Sequence, residues 1–388
     1  MKRVYLDNAA TTPVDPRVFA AMKPFFMKKF GNPNSLHAFG KEARNAIEHT
    51  RAQVAKVINA HEKEIIFTGS ATESINMALR GAAMALREKG GHVIVSAIEH
   101  HAVLETVRWM EKNGFDITFL PVDNYGLVDV GRLEGAMRKD TILVSIMTAN
   151  NEIGTIEPVA QIGKLCREKD IIFHTDAVQA FGKIPLDVEK MGIDMLSTSA
   201  HKIYGPKGVG MLYIRDGIRM EPLIHGGGQE GGRRSGTENV AGIVGFGAAA
   251  EICRKEMKKE ARLCKKMRDK LIKNILSIEK TRLNGHPVQR LPGNVNVSFE
   301  FIEGEALIML LDQYGIAAST GSACSSKTLE PSHVLLAIGL PHEIAHGSLR
   351  LTVGRFNTMA DVDYALKILP QAVRKLRRIS PYKGRWEI

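Results

Sequence analysis

Short apolar runs alternate with helix-length amphipathic segments through the first half of the chain. The runs lie at 64–67, 92–97, 117–122, 142–147, 171–174, 194–197 and 209–214. Each is too short for a helix and is bounded by turn-forming residues, which predicts seven strands. Segments such as 72–89 and 159–169 place apolar residues on one helical face. Repeated strand–helix units predict an α/β fold with a largely parallel sheet covered on both faces. The stretch between 194–197 and 209–214 has little helical pattern, so one strand there is expected to run antiparallel. A long amphipathic helix at 242–278 then leads to strands at 294–301, 316–318 and 349–352, with helices at 305–314 and 361–378. That predicts a smaller α+β unit. The turn-rich segment 7–13 (DNAATTP) is expected to pack near it. The division expected is 15–255 for the large domain, with 1–14 and 256–388 forming the small one.

Composition narrows the class. No run of about 18 apolar residues occurs, so no membrane span is expected. The start, MKRVYLD, lacks the apolar core of a signal peptide and points to the cytoplasm. The net charge of +11 is concentrated at 254–273 and 374–378, without interleaved aromatic residues. An acidic protein partner or anionic ligand is expected there, not nucleic acid.

Four cysteines are too few and too scattered for a disulfide framework, and none falls in a CxxC spacing. Cys253 and Cys264 share a helical stripe with Met257, Met267 and Leu271, and Cys166 shares one with Val159 and Ile162. Those read as core thiols. Cys324, in STGSACSSK, has small polar neighbours and no apolar period. It is the cysteine the sequence exposes.

The chemistry gathers at predicted strand ends. In SAHKIYGPKGVG, Lys202 stands just past a buried strand, where desolvation lowers an amine's pKa and prepares it for a Schiff base with pyridoxal phosphate. A lone lysine in such a turn is ordinarily a surface residue, so its neighbours decide. Ser199 and His201 are candidate phosphate ligands. FTGSATES opens a helix after a strand, where free amides and Thr72 form an anion site or a simple N-cap. HTDAVQ ends a strand with Asp176, either a partner for the pyridinium nitrogen or a cap, and Gln179 stands within reach of the ring's phenolic oxygen. His100 in EHHA can stack on a ring and shuttle protons, and ANNEIG offers amides to a ring oxygen or a substrate carboxylate. The loop GGGQEGGRRSGTEN suits a phosphate or a subunit boundary, and Arg350 in SLRL can grip a carboxylate bidentately. Ligands of open α/β sheets bind at the carboxyl ends of the strands, so these signals reinforce one another.

The motifs DNAATTP, GNPNSLH, SATESIN, EHHAVLET, ANNEIGT, HTDAVQA, SAHKIYGPKGVG, RRSGTEN, STGSACSS and LEPSHVL resemble, in order and over nearly the whole chain, the NifS/IscS group of cysteine desulfurases. The resemblance implies the PLP-dependent transferase fold type I (aspartate-aminotransferase-like), with the large domain binding the cofactor and the small one carrying the cysteine loop. It makes Lys202 the Schiff-base lysine, Asp176 the pyridinium partner and Gln179 the contact to the phenolic oxygen, with His100 stacked on the ring. Ala71, Thr72, Ser199 and His201 would bind the phosphate, joined by Thr237 from the second subunit of a homodimer. Asn151 would contact cofactor and substrate, and Arg350 the substrate carboxylate. Cys324 would be the nucleophile, taking sulfur from L-cysteine as a persulfide and leaving alanine, and would serve as a transient iron–sulfur ligand shared with a scaffold.

The implied partner is an iron–sulfur scaffold protein of the IscU/NifU kind, with nucleic acid involved only indirectly through tRNA thiolation. The length of 319–331 is that of the NifS/IscS group, unlike the shorter SufS-type loop, which favours direct sulfur transfer. GRRSGTEN and AHGSLRL are closer to the NifS type, and the chain ends soon after 380–382 without the longer docking tail of many housekeeping members. Selenocysteine lyase activity would use nearly the same site. An ordinary PLP aminotransferase would need no Cys324, and a binding platform for iron–sulfur assembly proteins would need no catalysis. These alternatives stay open on the sequence.

Overall fold

The computed structural model describes residues 2–321 and 330–381. Strand β1 (Val4–Tyr5) is followed by the central-sheet strands β2 (Ile65–Thr68), β3 (His92–Ser96), β4 (Asp116–Leu120), β5 (Thr141–Ser145), β6 (Ile172–Asp176), β7 (Met195–Ser199) and β8 (Gly210–Ile214). These seven form one sheet in the order β2-β8-β7-β6-β5-β3-β4. Strand β8 runs antiparallel to both its neighbours, and every other pairing in the sheet is parallel. This meets the expectation of a mostly parallel sheet with one reversed strand.

Alternation along the strands divides the core. Ile94, Val144, Phe173 and Leu196 pack into one apolar cluster, while Val93, Val95, Leu143 and Met195 pack into another on the opposite face. Both faces are therefore dry, as the unbroken apolar runs require. Strand β4 stops at Leu120, short of the expected end at 122, because Pro121 has no N–H for the ladder. The helix expected over 72–89 is Ala71–Ala85, its last carbonyls taken up by a tight turn from Leu86.

The long helix Val240–Ile275 leads to a three-stranded antiparallel sheet of β9 (Thr281–Leu283), β10 (Asn294–Phe299) and, beyond β11 (Ile316–Ala317), β12 (Ser348–Thr352). A third cluster fills the space between that sheet and the helices Gly304–Gln313 and Met359–Ile379, and it includes Val4 and Leu6. β1 pairs with β11, and Asp7 bridges to Thr352, so the N-terminal turn lies beside β12. No helix among the described residues is long and apolar enough to cross a membrane.

Candidate active site

A cleft of about 440 Å³ opens at the carboxyl ends of β3, β5, β6 and β7. Ala71, Thr72, His100, Asn151, Asp176, Gln179, Ser199, His201, Lys202 and Arg350, ten of the residues singled out from sequence, all line it.

Lys202 closes a single 3-10 turn after β7. Its Nζ donates to the carbonyl oxygens of Ala9 and Ala10, each at 2.7 Å, so the N-terminal turn forms one wall around it. Burial lowers its pKa to about 8, and the positive charges of Lys183 and Arg350 add to the effect. At pH 7 it is still mostly protonated, with roughly a tenth present as the free amine, far more than an ordinary lysine. The backbone that presents it is itself fixed: Tyr204, at φ +67°, donates its amide to Thr12 Oγ1 and accepts from the Asp15 amide.

Asp176 ends β6 with its carboxyl buried. Oδ1 accepts from the Val178 amide at 2.9 Å, and Oδ2 takes no hydrogen bond among the described residues. Desolvation raises its pKa to about 6. Gln179 donates from Nε2 to the Ala9 carbonyl at 2.9 Å, and its Oε1 accepts from Lys183 at 2.8 Å.

His100 caps the helix His101–Lys112, its Nδ1 accepting from the Ala102 amide at 3.0 Å. That bond places the proton of the neutral ring on Nε2. Burial, with Lys202 and its histidine neighbours, lowers the pKa to about 4, so the ring is neutral at pH 7. His201 is likewise held near 4 by burial and by Lys202, with Nδ1 3.1 Å from Thr11 Oγ1.

The opposite corner is a helix start. Ser70 caps Ala71–Ala85 by accepting from the Glu73 amide, while the amides of Ala71 and Thr72 have no carbonyl one turn back. Gly210 of β8 makes this approach possible: a Cβ there would lie 2.6 Å from the Ser70 carbonyl carbon. Arg234 of the glycine-rich loop pairs with Glu73 at 2.8 Å and does not line the cleft. This second of the loop's two arginines anchors it to the helix start.

Arg350 of β12 crosses over from the smaller sheet. It donates to the Asn151 carbonyl at 3.1 Å and pairs with Asp7 at 2.9 Å, while its buried Nε has no hydrogen-bond partner among the described residues. Thr237 is exposed in the loop before Val240 and does not reach the cleft of its own chain. Cys324 lies outside the described residues; the other three cysteines are free and buried, as their helical stripes predicted. Among the described residues no group of His, Cys, Asp or Glu could hold a metal ion.

Among the cleft residues that carried no role in the sequence reading are Glu99, Glu152 and His333. Glu99 is fully buried, accepting from Ser96 Oγ and the Met147 amide, and desolvation pushes its pKa well up. Glu152 is raised by burial and accepts from Ser332 Oγ at 2.5 Å. His333 stands 5.0 Å from His101, ring to ring. The available signal was position: Glu99 precedes His100, and Glu152 follows Asn151.

These residues fit pyridoxal phosphate on their own geometry. A lysine of lowered pKa would meet the aldehyde, a buried carboxylate with one oxygen unbonded among the described residues would meet the ring nitrogen, and the free amides of a helix start would meet the phosphate.

The aminotransferase class-V family model matches residues 4–365. A cysteine desulfurase IscS of Methanosarcina thermophila is 56% identical over 98% of this chain and 94% of its own. Among solved structures, a NifS-like protein superposes with a TM-score of 0.91 at 44% identity, over 96% of this chain and all of the other. SspA in complex with cysteine superposes with a TM-score of 0.82 at 39% identity, over 92% of this chain and all of the other. With a cleft built around Lys202 and Asp176 and relatives of this identity over nearly its full length, the chain belongs to the class-V aminotransferase family and, within it, to the pyridoxal-phosphate-dependent cysteine desulfurases.

Proposed function

We propose that this chain takes sulfur from L-cysteine, releasing L-alanine and holding the sulfur as a persulfide on Cys324 for iron–sulfur cluster assembly. The carrying observation is the convergence of Lys202, Asp176, His100, Arg350 and the Ala71–Thr72 helix start on one cleft. The solved relative in complex with cysteine supports the choice of substrate.

Lys202 would hold the cofactor covalently, Asp176 its ring nitrogen and Gln179 its phenolic oxygen. The amides of Ala71 and Thr72, with Ser199 and His201, would hold the phosphate. When bound, pyridoxal phosphate supplies an electron sink for the pair left at Cα as a proton departs. Asn151 and Arg350 orient the substrate carboxylate. Lys202 Nζ would also be the base that takes the substrate's α-proton. The neutral His100, with its proton on Nε2, would lie over the ring and give or take protons on that face. The Cys324 thiolate attacks the substrate sulfur: an S–S bond forms as the C–S bond breaks, and the electron pair returns to the carbon skeleton, which is protonated and leaves as alanine.

The working unit is a homodimer in which Thr237 of each copy completes the phosphate site of the other. The acceptor is an iron–sulfur scaffold protein to which Cys324 lends a transient cluster ligand, and the setting is the cytoplasm. A visible spectrum with and without L-cysteine tests the reading. The protein as purified should show a cofactor band that cysteine alters, and a chain that binds no cofactor would overturn it.

A further inference from the structure

A second lysine lies under the floor of the cleft. Lys183 follows Gln179 by four residues, and Gly182, at φ +70°, turns the chain just before it. Its Nζ donates to Gln179 Oε1 at 2.8 Å. On the other side of the same amide, Gln179 Nε2 donates to the Ala9 carbonyl at 2.9 Å, and that carbonyl also accepts from Lys202. An ammonium can only donate and a carbonyl can only accept. The two neighbours therefore admit one orientation of the Gln179 amide, with oxygen toward Lys183 and nitrogen toward Ala9 and the cleft.

We propose that Lys183 is a positioning residue for the cofactor: by occupying Gln179 Oε1 it keeps the Gln179 NH2 group turned to the cleft as a donor for the cofactor's phenolic oxygen. The proposal rests on the reading of this cleft as a pyridoxal phosphate site. Without Lys183 the orientation would rest on the Ala9 carbonyl alone, and an amide that rotated would present oxygen, which repels a phenolate. The other groups around Lys183 leave it available for this bond. Glu260, Cys253 and Cys264 of the long helix face it, as do Arg350 of β12 and Tyr204 and Lys202 of the lysine turn. Burial, opposed by Glu260, brings Lys183 to about 8, so it is largely protonated at pH 7. Among the described residues no carboxylate lies within ion-pair distance of it, so its hydrogen bond to Gln179 is the polar contact that places it.

The test is a double-mutant cycle on the full chain, read by the dissociation constant of pyridoxal phosphate and by the pH midpoint of its visible band. Lys183→Met should weaken retention about tenfold, the worth of one hydrogen bond, and move the midpoint upward. Lys183→Arg, which keeps the donor, should restore both. In a Gln179→Ala background, Lys183→Met should change neither further. Equal losses in the two backgrounds would overturn the proposal, showing that Lys183 does not act through Gln179. Unchanged retention and midpoint in Lys183→Met alone would overturn it too. Melting of each cofactor-free variant separates these outcomes from misfolding. A wild-type chain that shows no cofactor band refutes the site assignment itself, a result distinct from either.

Discussion

Arg350 Nη2 lies 2.9 Å from Asp7 Oδ1, joining β12 to the N-terminal turn across nearly the whole sequence. The guanidinium is committed on one edge to Asp7 and the Asn151 carbonyl, while its Nε has no partner among the described residues. If Arg350 orients the substrate carboxylate as proposed, these bonds are what hold the guanidinium in place for it. Arg350→Lys cannot keep both edges, so KM for cysteine should rise tenfold or more, about 1.4 kcal/mol, with a smaller change in kcat. Arg350→Ala strands the Asp7 carboxylate and should cost about 2 kcal/mol in urea denaturation.

The buried carboxyl of Asp176 gives cofactor binding a pH dependence. With its pKa raised to about 6 by desolvation, it is neutral below that pH and ionised above it. Only the ionised form attracts a protonated ring nitrogen, so retention should strengthen as pH rises through 6. Asp176→Asn should bind weakly, without that step. In the cofactor-free chain the sign reverses. A carboxyl with a raised folded pKa contributes stability that is complete below its ordinary value of 3.8 and is lost as pH rises through 6. The same variant should therefore reduce the fall in melting temperature between pH 4 and 7.

Ser332 serves two elements at once. Its Oγ accepts from the Val334 and Leu335 amides at the start of the helix His333–Ala337 and donates to Glu152. Ser332→Ala removes the cap and leaves Glu152 buried without that partner, a loss of about 2 kcal/mol by denaturation. Ser332→Thr should recover most of it.

Much of this arrangement was legible in the chain because two different periodicities agreed. The apolar runs located the strands, and the polar residues just beyond them located the cleft, so Lys202, Asp176, His100 and Thr72 could be named before any distance was known. What stayed hidden was long-range. Nothing local indicates that the Ala9 and Ala10 carbonyls wall in Lys202, or that Asp7 pairs with Arg350, since those contacts join segments far apart in sequence. Glu99 and Glu152 were hidden for another reason. A glutamate beside a strand end reads as a solvated turn residue until packing shows that it is buried and raised in pKa. The short strands β1 and β9 also went unread: two or three residues carry little period, and the part-exposed β9 lacks an apolar run.

A helix start built to hold phosphate should also respond to the ion alone. Inorganic phosphate should raise the melting temperature of the cofactor-free chain in a concentration-dependent way. Thr72→Ala and His201→Ala should each reduce that rise, while Arg233→Ala, which lies outside the cleft, should leave it unchanged.

The central claim is that Lys202 supplies the cofactor and Cys324 the reaction. The most direct measurement is the amount of alanine, sulfide and persulfide formed by Cys324→Ser and by the unaltered chain, each loaded with pyridoxal phosphate and given L-cysteine and a thiol reductant. The unaltered chain should release alanine and sulfide in equal amounts and, without reductant, carry one extra sulfur atom on the peptide containing Cys324. The variant should keep its visible band and its response to cysteine but lose sulfide release by a hundredfold or more, roughly 2.7 kcal/mol or above. Equal rates of alanine and sulfide formation in the two proteins would contradict the account.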